Sequence, residues 1–419
     1  MARSFDISKK LVWQAYLRVK ANKGAEGVDG QTIEDFEQNL KGNLYRIWNR
    51  MTSGSYIPPA VKAVTISKRS GGKRVLGIPT ISDRIAQTVV KMYLEPELEP
   101  FFHEDSYGYR PGKSAIQAVS ITRERCWKYG WLFEFDIKGA FDNIDHSLLT
   151  RSLQKHTDCE WVLLYINRWL TAPMQHPNGD QEQRVKGTPQ GGVVSPLLMN
   201  LFLHYVFDKW MAVHEPKLPF ARYADDAVAH CPTLREAERL QVVLEQRFRE
   251  CNLELHPEKS KIVCCKGNVP WVDYPVNKFE FLGYEFRLRT AVNRQGRKFV
   301  RFMPAISPSS AKAIRKEIRS WRVQNRSDKS IDDLSRMFSS KLRGWINYFG
   351  HFYKSALYPT FYNLNRKLVK WATRKFKKLR RRQRRAHYWL GAVAKRQPNL
   401  FPHWQLLGLR PAIGITGAG

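Results

Sequence analysis

The strongest chemical signal in the sequence is a set of three aspartates. Asp225 and Asp226 are adjacent within the apolar stretch Phe220–Cys231, which predicts a hairpin with both carboxylates at its tip. Asp136 ends another apolar, strand-like run 89 residues before Asp225. Carboxylates that converge from separate strands can hold two Mg²⁺ ions, and such a pair joins a 3′-hydroxyl to a nucleoside triphosphate. An Asp-Asp pair in a turn often serves local hydrogen bonding instead, but unpaired charge between apolar segments is costly unless a cation is bound.

Basic residues greatly outnumber acidic ones, and they concentrate toward the C-terminal end. The 419 residues include 70 Lys and Arg against 38 Asp and Glu, a formal net charge of +32. Asp333 is the last acidic residue, and 19 cations follow it. Such a chain repels itself unless a polyanion neutralises it, which favours a nucleic-acid partner over a merely soluble basic enzyme. The densest tract predicts a phosphate-binding surface, with a localisation signal as the alternative. Its members are Arg366, Lys367, Lys370, Arg374, Lys375, Lys377, Lys378, Arg380, Arg381, Arg382, Arg384 and Arg385.

The composition excludes several classes of protein. With 43% hydrophobic residues, the chain suits a globular protein of two to four domains. Its six cysteines form no CxxC pair and no metal-ligand spacing, so reduced thiols in a cytosolic protein are expected. No apolar run approaches the roughly 20 residues that span a bilayer, and no apolar signal segment begins the chain. We therefore expect a cytoplasmic, nucleoid-associated protein without a membrane partner.

Hydrophobic periodicity predicts an α+β protein, with helices packed on a small antiparallel sheet. A long apolar helix is predicted over 193–214 and a strand over 131–137. Strands 61–67 and 75–79 flank a basic loop with a Gly-Gly turn, a hairpin that could cover a triphosphate or be only a solvated surface. After about residue 305 the predicted helices are basic, and the aromatic residues of 345–353 fit a bundle core better than a base-stacking platform.

Three motifs resemble those of reverse transcriptases. Phe135–Ile144 resembles their first aspartate motif, Gly187–Pro196 the motif that follows it, and Tyr223–Asp226 their signature, in the order that the family uses. Further matches between about residues 28 and 404 resemble bacterial group II intron-encoded reverse transcriptase/maturases. These supporting motifs are Leu76–Pro79, Asp83–Ile85, Tyr107–Gly112, Phe281–Tyr284 and Gly344–Phe349.

The resemblance implies a right-hand polymerase fold, in which fingers and a palm with a small antiparallel sheet precede an α-helical thumb and a basic C-terminal region. It implies an N-terminal extension and fingers in 1–112, and a palm with fingers insertions in 113–300. Thumb and maturase would occupy 301–365, and a basic maturase and DNA-binding region 366–419. Many relatives carry a C-terminal HNH endonuclease with paired cysteines. The sequence lacks such pairs, so we expect no HNH domain and a DNA primer borrowed from elsewhere.

The resemblance also implies roles for individual residues around the aspartates. Asp136, Asp225 and Asp226 would be catalytic and bind the metal, with the Ile137 carbonyl as a further metal contact. Phe141 would exclude a ribose 2′-hydroxyl, unless it is ordinary core.

Other residues are expected to bind the nucleotide, the primer and the nucleic acid backbone. Lys68 and Arg74 would clamp the triphosphate, and Gln190 and Gly191 would contact the incoming nucleotide and the template. Lys259 would assist the leaving pyrophosphate, unless it is a solvated charge. The primer grip would consist of Phe281, Leu282, Gly283 and Tyr284, and the twelve cations of the basic tract would bind RNA and DNA.

The implied function is that of an RNA-directed DNA polymerase of a group II intron, a mobile element. It would copy intron RNA by target-primed synthesis from dNTPs and assist intron splicing as a maturase. The implied partners are the intron RNA and a DNA target and primer, and the implied cofactor is Mg²⁺, with Mn²⁺ as a substitute. One alternative is an RNA-binding splicing maturase with little polymerase activity, which the intact aspartates disfavour. The other is a reverse transcriptase domesticated for host defence.

Overall fold

The computed structural model describes residues 4–67, 72–265, 274–292 and 295–408. The chain forms two compact units. The first consists of the chain up to Ala118 together with Trp131–Ile262, and the second of Val119–Gly130 together with the chain from Val263. Among the helices of these described ranges, none is long and apolar enough to cross a membrane.

The first unit begins with helices whose N-termini are fixed by side-chain caps. Ser8, Thr32 and Thr80 each accept a hydrogen bond from a backbone N–H of the following first turn, and Thr32 forms a complete capping box with Asp35. Helices α1 to α4 are Lys9–Asn22, Ile33–Gln38, Leu40–Thr52 and Ile81–Leu98. Strands β1 and β2 are Val61–Ser67 and Lys73–Ile78, and they form the predicted antiparallel hairpin.

The middle of the chain is mostly helical. Helix α5 is Ala115–Cys126, and α6 to α11 are Ala140–Asn143, His146–Gln154, Glu160–Thr171, Ser195–Leu203, Lys209–His214 and Leu234–Glu250. Between α9 and α10 lies a π-helical segment, His204–Asp208, with one extra residue per turn. The sequence predicted one regular helix over this stretch, so the prediction was right in type and wrong in its continuity.

Two four-stranded sheets organise the first unit. Strands β3 to β8 are Trp131–Asp136, Met174–Gln175, Gln181–Glu182, Phe220–Tyr223, Asp226–Cys231 and Lys261–Cys264. One sheet has the order β2-β1-β4-β5, and the other has the order β6-β7-β3-β8. The pairing of β6 with β7 confirms the hairpin that was predicted around the adjacent aspartates.

The sheet with β3 is held by a dense aromatic core. Leu132 and Phe133 of β3 have no solvent-exposed surface. The ring of Phe135 lies 5.3 Å from that of Phe207 and 5.9 Å from that of Phe248 on α11. Helix α11 buries Ala237, Leu240, Leu244 and Phe248, the helical spacing that its amphipathic sequence predicts. This core fixes β3 and β7 against each other; β3 ends at Asp136, and β7 begins at Asp226.

The second unit combines a small sheet with a helical bundle. Strands β9 to β11 are Phe279–Phe281, Tyr284–Val292 and Lys298–Ile306, in the order β11-β10-β9. Helices α12 to α16 are Pro308–Ser320, Ile331–Phe349, Tyr358–Lys375, Gln383–Arg396 and Pro402–Leu406. The rings of Trp321 and Phe338 stack at 4.2 Å, and Trp345 stacks on the same Trp321 at 5.6 Å. Trp345 therefore packs within the helical bundle. The small sheets and the many helices of the two units confirm the predicted α+β class.

Candidate active site

The structure brings the three aspartates together at the ends of two paired strands. In the antiparallel register of β3 with β7, Asp136 lies directly opposite Asp226. Paired residues of such strands have Cα atoms about 4.5–5.5 Å apart. Asp225 belongs to the turn that joins β6 to β7, and this turn requires a left-handed conformation at Ala224, with φ 58°. Three carboxylates thus occupy one edge of the sheet.

Burial and mutual repulsion raise the pKa values of Asp225 and Asp226. Burial and the neighbouring Asp136 raise the pKa of Asp225, while Arg74 and Lys259 oppose the rise. Burial, followed by the charges of Asp225 and Asp136, raises the pKa of Asp226 to about 7, although the residue as a whole is solvent-exposed. A carboxyl group with such a pKa is poised to exchange its proton for a metal cation.

A lysine takes up part of the negative charge. The Lys259 ammonium donates a hydrogen bond to Asp136 Oδ2. Burial opposes the charged form of Lys259, but this bond and the other two aspartates outweigh it and raise its pKa. Within the described ranges, no three His, Cys, Asp or Glu side chains already surround a common point as in a formed metal cage. In this structure the Lys259 ammonium holds one of the Asp136 oxygens that a cation would need.

Ile137, the expected carbonyl ligand, follows Asp136 in a short bridge with Leu255. The two hydrogen bonds of this bridge join Lys138 N to Glu254 O and His256 N to Asp136 O, both at 2.8 Å. The bridge therefore does not use the Ile137 carbonyl. It also anchors the segment that carries Lys259.

The second predicted motif packs against the residues that follow Asp136. The backbone N–H of Thr188 donates to the Phe141 carbonyl, and that of Gly187 donates to the Ile144 carbonyl, both at 2.7 Å. Gly187 has φ 76°, and a Cβ at this position would lie 2.6 Å from the Asp142 carbonyl oxygen, so only glycine fits. The Phe141 side chain is half-buried and thus retains a solvent-facing surface.

Gln190 and Gly191 are fixed between Asp142 and β2. Gln190 Nε2 donates to Asp142 Oδ2 at 3.0 Å, and the Gln190 carbonyl accepts from the Gly77 N–H at 2.8 Å. A Cβ on Gly191 would lie 2.5 Å from the Gly77 carbonyl oxygen. Arg74 is exposed on the same strand β2, and its charge reaches Asp225. Lys68 lies outside the described residues.

The predicted primer-grip residues form a tight turn within the second unit. Phe281 and Tyr284 are buried, and the turn between them holds Leu282 and Gly283 in left-handed conformations, with φ 52° and 78°. Tyr348 of α13 donates its hydroxyl to the Leu282 carbonyl at 2.9 Å, and Tyr284 donates to the Tyr348 carbonyl. Two tyrosines thus tie this turn to the helical bundle.

The basic tract presents most of its cations to solvent. Ten of the twelve are exposed, and Lys367 and Lys375 are half-buried. In the part of the chain that the structure describes, none of the twelve pairs with a carboxylate, whereas Lys375 donates to the Ser327 carbonyl and Arg374 to the Gln324 carbonyl. The remaining cations form a surface suited to phosphate groups.

Sequence reasoning missed two groups of buried polar residues beside these motifs. Asp208 and Arg222 form an ion pair behind the turn that carries Asp225, with side chains 0% and 1% exposed. Asp83 accepts a hydrogen bond from Gln87, whose own carbonyl oxygen accepts from the backbone N–H groups of Val193 and Val194. A charged residue within the apolar strand before Tyr223 was the available signal for the first group.

Comparison with known proteins decides the family. Residues 66–286, more than half of the chain, match the family described as reverse transcriptase (RNA-dependent DNA polymerase). The chain belongs to the reverse transcriptase family. Residues 311–389 also match the group II intron maturase-specific domain. These matches confirm the predicted polymerase fold, enzyme class and maturase character. RNA is therefore a partner of the chain, and enzymes of this family generally use divalent metal ions.

The chain is also similar to several individual proteins. The group II intron-encoded protein LtrA of Lactococcus lactis is 27% identical, over 81% of this chain and 68% of that protein. Protein YkfC of Escherichia coli is 32% identical, over 58% of this chain and 74% of that protein. Among solved structures, the chain is similar to telomerase from Candida albicans, solved with a fragment of telomeric RNA. The similarity covers 91% of this chain and 72% of the telomerase chain, with 12% identity and a TM-score of 0.46.

Proposed function

We propose that Asp136, Asp225 and Asp226 hold two divalent ions, Mg²⁺ by preference and Mn²⁺ as a substitute, for RNA-directed DNA synthesis. The observation that carries the proposal is the register that sets Asp136 opposite Asp226. The donors are oxygens, as Mg²⁺ prefers, and the Ile137 carbonyl joins them. The raised pKa of Asp226 fits, because a divalent cation removes the repulsion that raises it. When bound, the ions activate the primer 3′-hydroxyl and stabilise the leaving pyrophosphate.

Side chains around the aspartates orient the nucleotide. Because a carboxylate can only accept hydrogen bonds, the Gln190 amide nitrogen must face Asp142, which leaves Gln190 Oε1 as an acceptor for a hydroxyl of the incoming nucleotide. Gly191 lets the backbone approach the nucleotide and template closely. The exposed face of Phe141 excludes a ribose 2′-hydroxyl.

Three cations complete the proposed nucleotide site. Arg74, together with Lys68, neutralises the triphosphate. Lys259 exchanges Asp136 for the pyrophosphate, where its ammonium holds a proton close to the leaving oxygen. The ion pair supports this role, because the Lys259 ammonium would be free to turn to the pyrophosphate if Asp136 held a divalent ion.

The second unit would hold the nucleic acid. Phe281 to Tyr284 form the primer grip, and the exposed cations of the basic tract bind intron RNA and the DNA target through phosphates. The proposed division remains 1–112 for the N-terminal extension and fingers, 113–300 for the palm, 301–365 for the thumb and 366–419 for the basic region. Because the chain has a net charge of +32, we propose that it is associated with the nucleoid in the cytoplasm. Synthesis would be target-primed, with the chain also assisting splicing of the intron.

Primer extension on an RNA template with dNTPs and Mg²⁺ tests the proposal. Asp225→Ala should abolish synthesis and leave RNA binding unchanged, because the basic surface is intact. Asp180→Ala, which removes an exposed carboxylate outside the cluster, is the matched control and should retain full activity. Synthesis by Asp225→Ala would refute the site. A wild-type chain that promotes splicing without making cDNA would instead identify an RNA-binding maturase.

A further inference from the structure

A buried arginine stands directly behind the catalytic turn. Arg222 is in strand β6, three residues before Asp225, and its side chain is 1% exposed. Its Nε donates to Asp208 Oδ1 at 2.7 Å, and its Nη2 donates to Asp208 Oδ2 at 2.5 Å. This two-pronged geometry is the one that a planar guanidinium makes with a carboxylate and that a lysine cannot reproduce.

The remaining donors of the same guanidinium reach the turn and its surroundings. Nη1 donates to the Ala224 carbonyl at 3.0 Å and to Asn200 Oδ1 at 3.2 Å, and Nη2 donates to Ser106 Oγ at 2.8 Å. With the two bonds to Asp208, all five N–H donors of Arg222 have acceptors. Only one of these five acceptors belongs to the catalytic turn, and it is the carbonyl that precedes Asp225.

The carbonyl that Arg222 contacts belongs to Ala224, the residue of the turn with a positive φ. Ala224 has φ 58°, a left-handed conformation that residues with a side chain rarely adopt. Its carbonyl lies in the peptide plane that joins Ala224 to Asp225. Because the orientation of that plane sets the direction of the Asp225 Cα–Cβ bond, a hydrogen bond at the Ala224 carbonyl controls where the Asp225 carboxylate points.

Two further features hold this arrangement in place. Asp208 is the last residue of the π-helical segment, whose extra residue turns the following side chains out of the regular helical register. Asn200, which accepts from Arg222, also donates to the Gly108 carbonyl at 2.7 Å. Gly108 lies so close behind the turn that a Cβ there would be 2.4 Å from the Ala224 nitrogen.

We propose that Arg222, held by Asp208, is a positioning residue for DNA synthesis: it fixes the peptide plane between Ala224 and Asp225 and thereby aims the Asp225 carboxylate. The inference depends on the proposed function of the aspartates. A purely structural role accounts poorly for the ion pair, because a buried pair is a weak stabiliser compared with apolar side chains of the same volume. The bond to Ala224 supplies the reason for an arginine at this place.

Arg222→Lys is the decisive variant, because it keeps the charge opposite Asp208 and removes the fork and the bond to Ala224. The kcat for nucleotide addition should fall about 100-fold, the usual effect of a misplacement near 1 Å. The KM for dNTP should change by no more than about 3-fold, since Arg222 does not touch the nucleotide. The Mg²⁺ concentration for half-maximal activity should rise, because Asp225 no longer faces the metal correctly.

Arg168→Lys is the matched control. Arg168 also lies in the first unit and donates to two backbone carbonyls, those of Gly54 and Tyr56, at 2.8 and 2.5 Å. Its replacement should lower the melting temperature without changing kcat or the Mg²⁺ requirement. Asp208→Asn, which keeps the size of the side chain, should reproduce the kinetic defect of Arg222→Lys. Combining the two should add little, as expected for residues acting as one unit.

The outcomes separate the inference from the proposed function. If wild type synthesises cDNA and Asp225→Ala does not, the aspartate site stands, and unchanged kcat and Mg²⁺ dependence in both Arg222→Lys and Asp208→Asn overturn the positioning role alone. A kcat loss in Arg168→Lys equal to that in Arg222→Lys would also overturn it. If wild type makes no cDNA, both proposals fall.

Discussion

Asp226→Asn should stabilise the metal-free protein at neutral pH. In the folded chain the pKa of Asp226 is raised to about 7 by burial and by Asp225 and Asp136, against an ordinary value of 3.8. A carboxyl group whose pKa is raised on folding contributes no penalty below pH 4. Its penalty grows as the pH rises and is complete above about pH 7. Asparagine never carries the charge, so the variant escapes this loss.

The size of the effect follows from the difference between the two pKa values. That difference corresponds to at most about 4 kcal/mol. Because Asp226 is solvent-exposed, water screens the repulsion. We therefore expect Asp226→Asn to raise the free energy of unfolding by roughly 1–2 kcal/mol at pH 8. For a unit of this size, that stabilisation should raise the melting temperature by about 2–6 °C.

Thermal unfolding in the presence of a chelator, between about pH 5 and pH 8, measures the difference. The advantage of Asp226→Asn over wild type should grow across this range, whereas Asp180→Asn, at an exposed carboxylate outside the cluster, should follow wild type. Added Mg²⁺ should then stabilise wild type more than Asp226→Asn, since the ion binds the folded site. A difference that does not change with pH, or an Asp226→Asn variant less stable than wild type at pH 8, would refute the electrostatic reasoning.

Three further predictions concern the turn, the nucleotide and the RNA. Gly108→Ala should reduce primer extension at least about 10-fold with RNA binding intact, because its Cβ would displace the Ala224 nitrogen; Gly344→Ala, which has open space around it, is the control. Phe141→Ala should lower the preference for dNTP over rNTP in kcat/KM by at least about 10-fold, and an unchanged preference would mean that Phe141 is only structural. Replacing the exposed Arg381, Arg382, Arg384 and Arg385 together by Gln should reduce the slope of log affinity for RNA against log salt by about 2–3. An unchanged slope would mean that this surface does not contact the RNA.

The sequence predicted the elements of the site better than their connections. Short apolar runs were enough to predict the strands β3, β6 and β7, because strands that are buried on both faces need that pattern. The pairing of Asp136 with Asp226 was not predictable from local pattern, because register depends on how the whole aromatic core packs. The sequence predicted that the three aspartates converge, whereas the register that sets Asp136 opposite Asp226 required the fold.

The π-helical segment shows why the rest was missed. The apolar period of 193–214 fits a regular helix, and no local signal marks an extra residue at His204–Asp208. The segment makes sense only with Arg222, which is 14 residues beyond Asp208 and binds its carboxylate. A preference that depends on a distant partner is invisible to periodicity.

The buried polar residues of the first unit share one physical purpose. The turn at Ala224 and the loop at Val193 lie outside helices and strands. Their backbone groups therefore cannot all be satisfied by a helix or a sheet. Arg222 supplies a donor to the Ala224 carbonyl, and Gln87 supplies an acceptor to the Val193 and Val194 N–H groups.

Burying polar side chains is costly. Asp83, which accepts a hydrogen bond from Gln87, shows this cost, because burial raises its pKa to about 6. That cost is offset only if they hold the loops in one conformation. Replacing Gln87 or Arg222 should therefore impair nucleotide addition more than it impairs folding, whereas replacing apolar side chains of the same burial should do the reverse.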